Sequence, residues 1–266
     1  MLRQRILTAL VLIPLVVGAV LYLSSEALLI LLAAVVALGG WEWARLAGLR
    51  GGGAWAYGLL LGGAAFFLEP WLRPVSAVFL ALVCLWWAYA LHLVWRYERG
   101  APPHSNAAKR VMGPWVLIPA ALALDWLHRA DPRLVLYLMI LIWIADSAAY
   151  FVGRALGRHK LAPRTSPGKS WEGAAGGLAG ATLWAWGGAL VFLPGADPWP
   201  FVAVSLVVVL VSILGDLLES LMKREAGVKD SSQLLPGHGG ILDRIDSLTA
   251  AAPWFALGWL MVGRGG

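Results

Sequence analysis

Six of the chain's fifteen carboxylates fall in one stretch, Ser212 to Asp246: Asp216, Glu219, Glu225, Asp230, Asp243 and Asp246. On a helix, Ser212, Asp216, Glu219, Ser220 and Lys223 recur at i, i+4, i+7, i+8 and i+11 and share one face. Ile213, Leu214, Leu217, Leu218 and Leu221 make the opposite face apolar. A turn-rich break follows, Pro236-Gly237-His238-Gly239-Gly240, whose glycines let successive backbone N–H groups converge on an anion. Asp243 and Asp246 come next at i, i+3, with Arg244 beside them. Carboxylates on facing helices, close to a glycine turn and basic side chains, suit Mg²⁺ and a nucleotide polyphosphate. Mg²⁺ takes hard oxygen ligands and commonly shares them with substrate phosphates. His238 reads either as a turn residue or as a contact to phosphate or leaving group. No His/Cys spacing suits zinc, and no Ser-His-Asp arrangement is visible.

Two further stretches carry candidate chemistry. Asp146, Tyr150 and Arg154 lie at i, i+4 and i+8 on one helical face, so Asp146 reads as a structural partner for another helix or as part of an active chamber. The segment 154–170 holds Arg154, Arg158, His159, Lys160, Arg164 and Lys169, with Thr165, Ser166 and Ser170 supplying hydroxyls, which favours polyanion binding over topology alone. Gly168-Lys169-Ser170 is not a P-loop: Pro163 stands where its first glycine belongs, and no buried strand precedes it. Glu172 either caps the helix that follows or positions Lys169.

The elements that must hold these residues are set by composition. Hydrophobic residues make up 60% and charged residues 14%, too little charge to cover a soluble surface of this size. The expected fold is all-α: a polytopic integral membrane helical bundle of about nine transmembrane helices, at roughly 20 apolar residues per crossing. The spans read as 6–23, 27–46, 54–68, 74–95, 111–128, 134–153, 171–193, 199–222 and 241–262; the third is short and its Gly58, Gly62 and Gly63 weaken it. Residues 1–266 form one membrane domain, 1–128 mainly scaffold helices and 129–266 catalytic helices and loops. With a cytoplasmic N-terminus, 17 of the 21 Lys and Arg fall on the inner side, all but Arg73, Arg129, Arg133 and Arg264. The first apolar run is longer than a signal core and no A-x-A site follows, so it is read as a retained helix. The net charge of +6 is explained by topology and polyphosphate contacts rather than by nucleic acid. Cys84 is the single cysteine, which excludes an intrachain disulfide.

Depth argues for one chamber. At about 1.5 Å per residue, Asp216 sits roughly 10 Å inside the Lys223 end of its helix and Asp146 roughly 12 Å inside the Arg154 end. Asp243 and Asp246 lie within roughly 10 Å of the start of the last helix. A transporter would instead need acids near the midplane and paired broken helices in two halves. The N-terminal half is chemically quiet. Its Trp41-Glu42-Trp43-Ala-Arg45 cluster reads as an interfacial anchor or a lipid-headgroup contact, and the tryptophans near span ends as an aromatic belt. Gly176 and Gly180 are spaced for close helix contact.

The string Ser220-Leu-Met-Lys223-Arg224, Lys229-Asp230 and Leu235-Pro236-Gly237-His238-Gly239-Gly240-Ile-Leu-Asp243-Arg244-Ile-Asp246 resembles the signature of the phosphatidate cytidylyltransferase (CDP-diglyceride synthetase) family. Ser166-Pro167-Gly168-Lys169-Ser170-Trp171-Glu172-Gly173 and Asp146-Ser147-Ala148-Ala149-Tyr150 are similar to two further family segments, with Gly168 where many members carry lysine. The resemblance implies CTP + phosphatidate → CDP-diacylglycerol + pyrophosphate, in phospholipid biosynthesis. Read with the spacing, it implies that Asp216, Asp243 and Asp246 hold Mg²⁺, with room for a second cation. Catalytic residues would be Lys223, Asp230, Asp243 and Arg244; substrate would meet Ser166, Lys169, Ser170, Ser220, Arg224 and His238, with Asp146, Glu172 and Glu219 as further candidates. CTP, phosphatidate and membrane lipids are the expected partners, and small-residue helix faces permit a homodimer. The expected location is the bacterial inner (cytoplasmic) membrane, with the site facing the cytosol. A CTP-dependent lipid kinase would share the metal chamber but release CDP.

Overall fold

The computed structural model describes residues 2–235, 237 and 239–263, and the side chains from residue 10 onward. Nine α-helices carry the described chain: α1 (Leu2–Tyr22), α2 (Ser25–Leu46), α3 (Gly51–Leu72), α4 (Ser76–Glu98), α5 (Asn106–Ala130), α6 (Pro132–Leu156), α7 (Trp171–Phe192), α8 (Trp199–Glu225) and α9 (Leu242–Val262). Seven stretches are long and apolar enough to cross a membrane, and one of them, Gly51–Glu98, contains both α3 and α4. The protein is a polytopic, all-α membrane bundle. Large apolar side chains such as Leu60, Phe67, Leu85, Phe151 and Leu183 lie exposed on its outside, as a lipid-facing surface requires.

Helix starts follow local chemistry. Ser24, Ser105 and Ser170 accept from Ala27 N, Ala108 N and Gly173 N, each satisfying an amide that the first turn leaves without a partner. Asp131 caps α6 ahead of Pro132, and the Arg133 guanidinium bonded to it holds its carboxyl below the ordinary range.

Small residues set the close approaches. A Cβ at Gly58 or Gly62 would run into the α2 backbone at Ala37 or Ala33. Two of the three glycines that weaken α3 as a sequence, Gly58 and Gly62, are therefore what let it pack, and α3 runs a full 22 residues. Gly173 and Gly177 lie against the α6 carbonyls of Ala149 and Ala145, and Gly176 and Gly180 against Val152 and Ala148. Gly215 of α8 meets the Asp246 carbonyl of α9.

The segment between α6 and α7 is not simply a loop. It forms a short antiparallel hairpin, β1 (Lys160–Ala162) with β2 (Ser166–Ser170), Lys160 opposite Ser170 and Ala162 opposite Ser166. Its turn is held from α4: Glu98 accepts from Arg164 N (3.0 Å), Thr165 N (2.7 Å) and Thr165 Oγ1 (2.5 Å). At the opposite end of the bundle, Arg129 joins Asp125 (2.8 Å) and Glu26 (3.1 Å). His128 there lies 2.9 Å from both Ser25 Oγ and the Val20 carbonyl.

Candidate active site

The polar face of α8 places Asp216, Glu219, Ser220 and Lys223 along one line, as their spacing requires. Ser220 Oγ donates to Asp216 Oδ1 at 3.1 Å. Ser212 is turned inward and donates to the Val209 carbonyl (2.8 Å). Lys223 Nζ lies 2.9 Å from Glu219 Oε2 and 2.6 Å from Asp243 Oδ1, a bridge from α8 to α9. These three side chains are 13%, 4% and 8% exposed, so the charges answer one another rather than water. Glu219 Oε1 is buried with no hydrogen-bond partner among the described residues.

A second cluster forms one to two turns deeper. Lys169, on β2, reaches Asp216 Oδ2 at 2.6 Å. Asp146 of α6 lies in Coulombic range of Lys169 and Asp216, and Asp246 of α9 in range of Asp216, Lys169 and Lys223. Asp146 keeps solvent-accessible surface although it sits ten residues from the end of α6. Asp246 Oδ1 accepts from Ser247 N at 2.7 Å. Three helices and the hairpin thus bring Asp146, Lys169, Asp216 and Asp246 together. The Gly215–Asp246 approach is what makes the α8–α9 part possible. Among the described residues no group of three or more His, Cys, Asp or Glu side chains converges tightly enough, as it stands, to hold a metal ion.

Asp243 is differently employed. Oδ1 takes the Lys223 ammonium, and Oδ2 accepts from Ser231 N (2.9 Å), Ser231 Oγ (2.8 Å) and Gly240 N (2.8 Å). Both of its oxygens are engaged, as are both of Asp216, where Ser220 Oγ meets Oδ1 and Lys169 Nζ meets Oδ2. Within the glycine break, Gly240 turns its N–H to one of the protein's own carboxylates, Asp243. Gly239 adopts φ +81°, and a Cβ there would lie 2.8 Å from Asp243 Oδ2.

The remaining candidates fall as follows. Arg224 donates to the Thr165 carbonyl (3.2 Å) and so ties α8 to the hairpin. Arg244 and Asp230 are exposed, and Ser166 is half-buried. Ser170 is buried and spends its hydroxyl on the α7 cap. Glu172 lies in the first turn of α7, where a carboxylate meets the positive end of the helix, and it also accepts from the backbone of Arg158 and His159 and pairs with His159 Nδ1 (2.6 Å), closing the turn after α6. His238 lies outside the described residues.

One residue was misjudged from sequence. Glu42, grouped with an interfacial aromatic cluster, is completely buried and accepts from Ser231 Oγ, Ser232 Oγ, Ile241 N and Leu242 N. The belt-like Trp41-Glu42-Trp43 context concealed it. Gly240 packs against it, and a Cβ there would land on Ser231 Oγ and Glu42 Oε1. Glu225 is a second buried acid of this end, 3.1 Å from Lys109 Nζ and 2.8 Å from His104 Nδ1.

A helical membrane bundle with acidic and basic side chains gathered at one end defines an integral membrane protein with a polar, polyanion-compatible site. The chain belongs to the cytidylyltransferase family, whose model it matches over residues 3–261. It is 45% identical over 272 residues to the phosphatidate cytidylyltransferase of Pseudomonas aeruginosa, covering 96% of each chain. It is 40% identical over 298 residues to the phosphatidate cytidylyltransferase of Haemophilus influenzae, covering 98% of this chain and 100% of that one. A shorter match, 45% over 123 residues, is to the phosphatidate cytidylyltransferase of Bacillus subtilis.

Proposed function

We infer that this protein transfers the cytidylyl group of CTP to phosphatidate, giving CDP-diacylglycerol and pyrophosphate. The observation that carries the reading is the convergence of Asp146, Lys169, Asp216 and Asp246 from α6, β2, α8 and α9, in a chain matched along its length to phosphatidate cytidylyltransferases. A phosphate oxygen of phosphatidate attacks the α-phosphorus of CTP. The bond from that phosphorus to the bridging oxygen breaks, and pyrophosphate leaves with the electron pair. No covalent enzyme intermediate is needed, because the lipid already carries its nucleophile.

The obstacle is the approach of two polyanions, so positioning and charge neutralisation supply the catalysis. The donor set fits a hard divalent cation. The Lys169 ammonium stands on Asp216 where a cation belongs, and Glu219 keeps a buried, unpartnered oxygen in Coulombic range of Asp246. Asp216 and Asp246 would hold Mg²⁺, which when bound supplies charge neutralisation and alignment of the nucleotide phosphates. Lys169, released from Asp216, binds a substrate phosphate together with Ser166. Lys223 and the exposed Arg224 and Arg244 offset charge at the α-phosphate and the departing pyrophosphate. Asp243 orients Lys223 and anchors the preceding loop. The lipid enters sideways between helices and keeps its acyl chains in the bilayer. We place this end of the bundle at the cytosolic face of a bacterial inner membrane, supported by the partition of 17 of 21 basic residues to this side.

The test is CTP-dependent pyrophosphate release by purified protein in nanodiscs containing phosphatidate and Mg²⁺, with the lipid product identified by mass. Wild type is expected to form CDP-diacylglycerol, and Asp216→Asn to lose about 10²–10³-fold in rate, the scale of one electrostatic contact to a transition state. Release of CDP with a newly phosphorylated lipid, or no nucleotide-dependent product from folded protein, would overturn the reading.

A further inference from the structure

We propose that Glu42, on α2 and some 200 positions before the acids it serves, is a positioning residue of the transfer site. It clamps residues 231–232 of the loop 226–241 to the start of α9 and so fixes Asp243 and, through it, Lys223. The inference rests on the function proposed above and adds to it a part of the site supplied by the N-terminal half.

The geometry is that of a cap lent by another helix. α9 has no side-chain cap of its own: Ile241 stands at the N-cap position and offers none. Glu42 fills that place, with Oε1 accepting from Ile241 N (3.0 Å) and Oε2 from Leu242 N (2.7 Å). A carboxylate at this point satisfies orphan amides and meets the positive end of the helix dipole. The same two oxygens take the other side of the loop, Oε1 from Ser232 Oγ (2.5 Å) and Oε2 from Ser231 Oγ (3.1 Å). Four donors from positions 231, 232, 241 and 242 thus meet on one fully buried group, and the loop between them is closed.

Ser231 makes the link to chemistry. Its hydroxyl lies 3.1 Å from Glu42 Oε2 and 2.8 Å from Asp243 Oδ2. A hydroxyl has one proton to donate, so the two carboxylates share it, and moving either displaces the other's partner. Asp243 is the residue after Leu242 and lies 2.6 Å from Lys223. A shift of α9's first turn therefore carries Asp243 away from Lys223 and alters Asp246 one turn further on. α2 is itself held rigidly at this level, because Trp43 Nε1 donates to the Lys109 carbonyl of α5 at 2.7 Å. Gly39 lets Leu242 and Ile245 pack against α2.

The experiment compares wild type with Glu42→Gln, Glu42→Ala, Ser231→Ala, Ser232→Ala and the Glu42→Ala/Ser231→Ala double variant, reading CDP-lipid formation and hydrogen exchange of the backbone amides. Glutamine keeps the volume but turns an NH₂ toward an N–H or hydroxyl donor. Glu42→Gln is therefore expected to lower kcat about 10²-fold, the scale of a misplacement of about 1 Å in a site. Exchange is expected to rise within 226–242 while the other helices keep wild-type protection, a pattern that general destabilisation does not give. Ser231→Ala and Glu42→Ala are expected to be non-additive, the double variant being no slower than Glu42→Ala alone. Wild-type kcat in folded Glu42→Gln, unchanged exchange across 226–242, or multiplying losses in the double variant would overturn the proposal. If Glu42→Ala does not fold, Glu42→Gln and Ser232→Ala decide it by the same exchange and rate criteria. If wild type makes no CDP-lipid, the functional reading fails on its own, and the exchange data still decide whether Glu42 holds the loop.

Discussion

Lys223 is the residue that joins α8 to α9. It is nearly enclosed, and it separates Glu219 from Asp243. Breaking a buried ion pair from one side leaves an uncompensated charge, at a cost of about 3–5 kcal/mol. Lys223→Met is therefore expected to lower the thermal midpoint in detergent sharply and to abolish CDP-lipid formation. Adding Glu219→Gln removes one stranded charge. The double variant should recover much of the stability and none of the activity, because the ammonium proposed to offset phosphate charge is still missing. Full recovery of both would reduce Lys223 to a structural counter-ion. The α8 part of this site was legible in the sequence, since a charged stripe at helical spacing inside an apolar run has few other uses. Glu42 was not legible. Its partners are two backbone amides and two serines about 190–200 positions away, and no periodicity reports a contact with backbone. Glu172 was read as capping the helix it begins or positioning Lys169; it does stand in the first turn of α7, and the turn behind it adds donors that no spacing announced.

At the scale of elements, the site depends on how closely α9 lies on α8. Gly215 precedes Asp216 and faces the Asp246 carbonyl, with Ala250 Cβ 3.1 Å from where a methyl would go. Gly215→Ala is expected to push α9 outward, cost about 1–3 kcal/mol by overpacking, and slow CDP-lipid formation more than it lowers stability. Gly187, exposed on α7 with open space around it, is the matched control. Alanine there should leave activity intact and stabilise by about 0.5–1 kcal/mol, the ordinary gain over glycine within a helix. Equal effects at the two positions, measured by unfolding and by initial rate, would remove close helix approach as the reason for Gly215. The nine helices were readable from hydropathy to within a few residues at most ends. The β1–β2 hairpin was not, because strands of three and five residues containing Pro167 and Gly168 show no alternation. It is held instead by Glu98 from another element.

At the scale of the whole molecule, the charged side chains that join distant parts of the chain gather at the two ends of the bundle. Glu42, Glu98 and Lys109 from the N-terminal half grip the loop 226–241, the hairpin and Glu225 at one end, while Glu26, Glu69, Asp125 and Arg129 interlock at the other. The half read as scaffold thus holds in place the end where we propose the transfer site. The same asymmetry gives orientation a direct test, because α7 separates two exposed positions. Gly168 precedes it on the hairpin with nothing within 4 Å of a Cβ, and Ala196 follows it in the turn before α8. The native Cys84 is buried in α4 and should stay silent toward a membrane-impermeant maleimide. If basic residues set the topology, Ala196→Cys should label in intact spheroplasts of a bacterial expression host. Gly168→Cys should label only in inverted vesicles, and CTP with Mg²⁺ should slow that labelling because Gly168 adjoins Lys169. The reverse pattern would put the acidic and basic cluster on the face away from cytosolic CTP. A CTP-consuming enzyme could not work from there, so this one labelling pair bears on topology and reaction together.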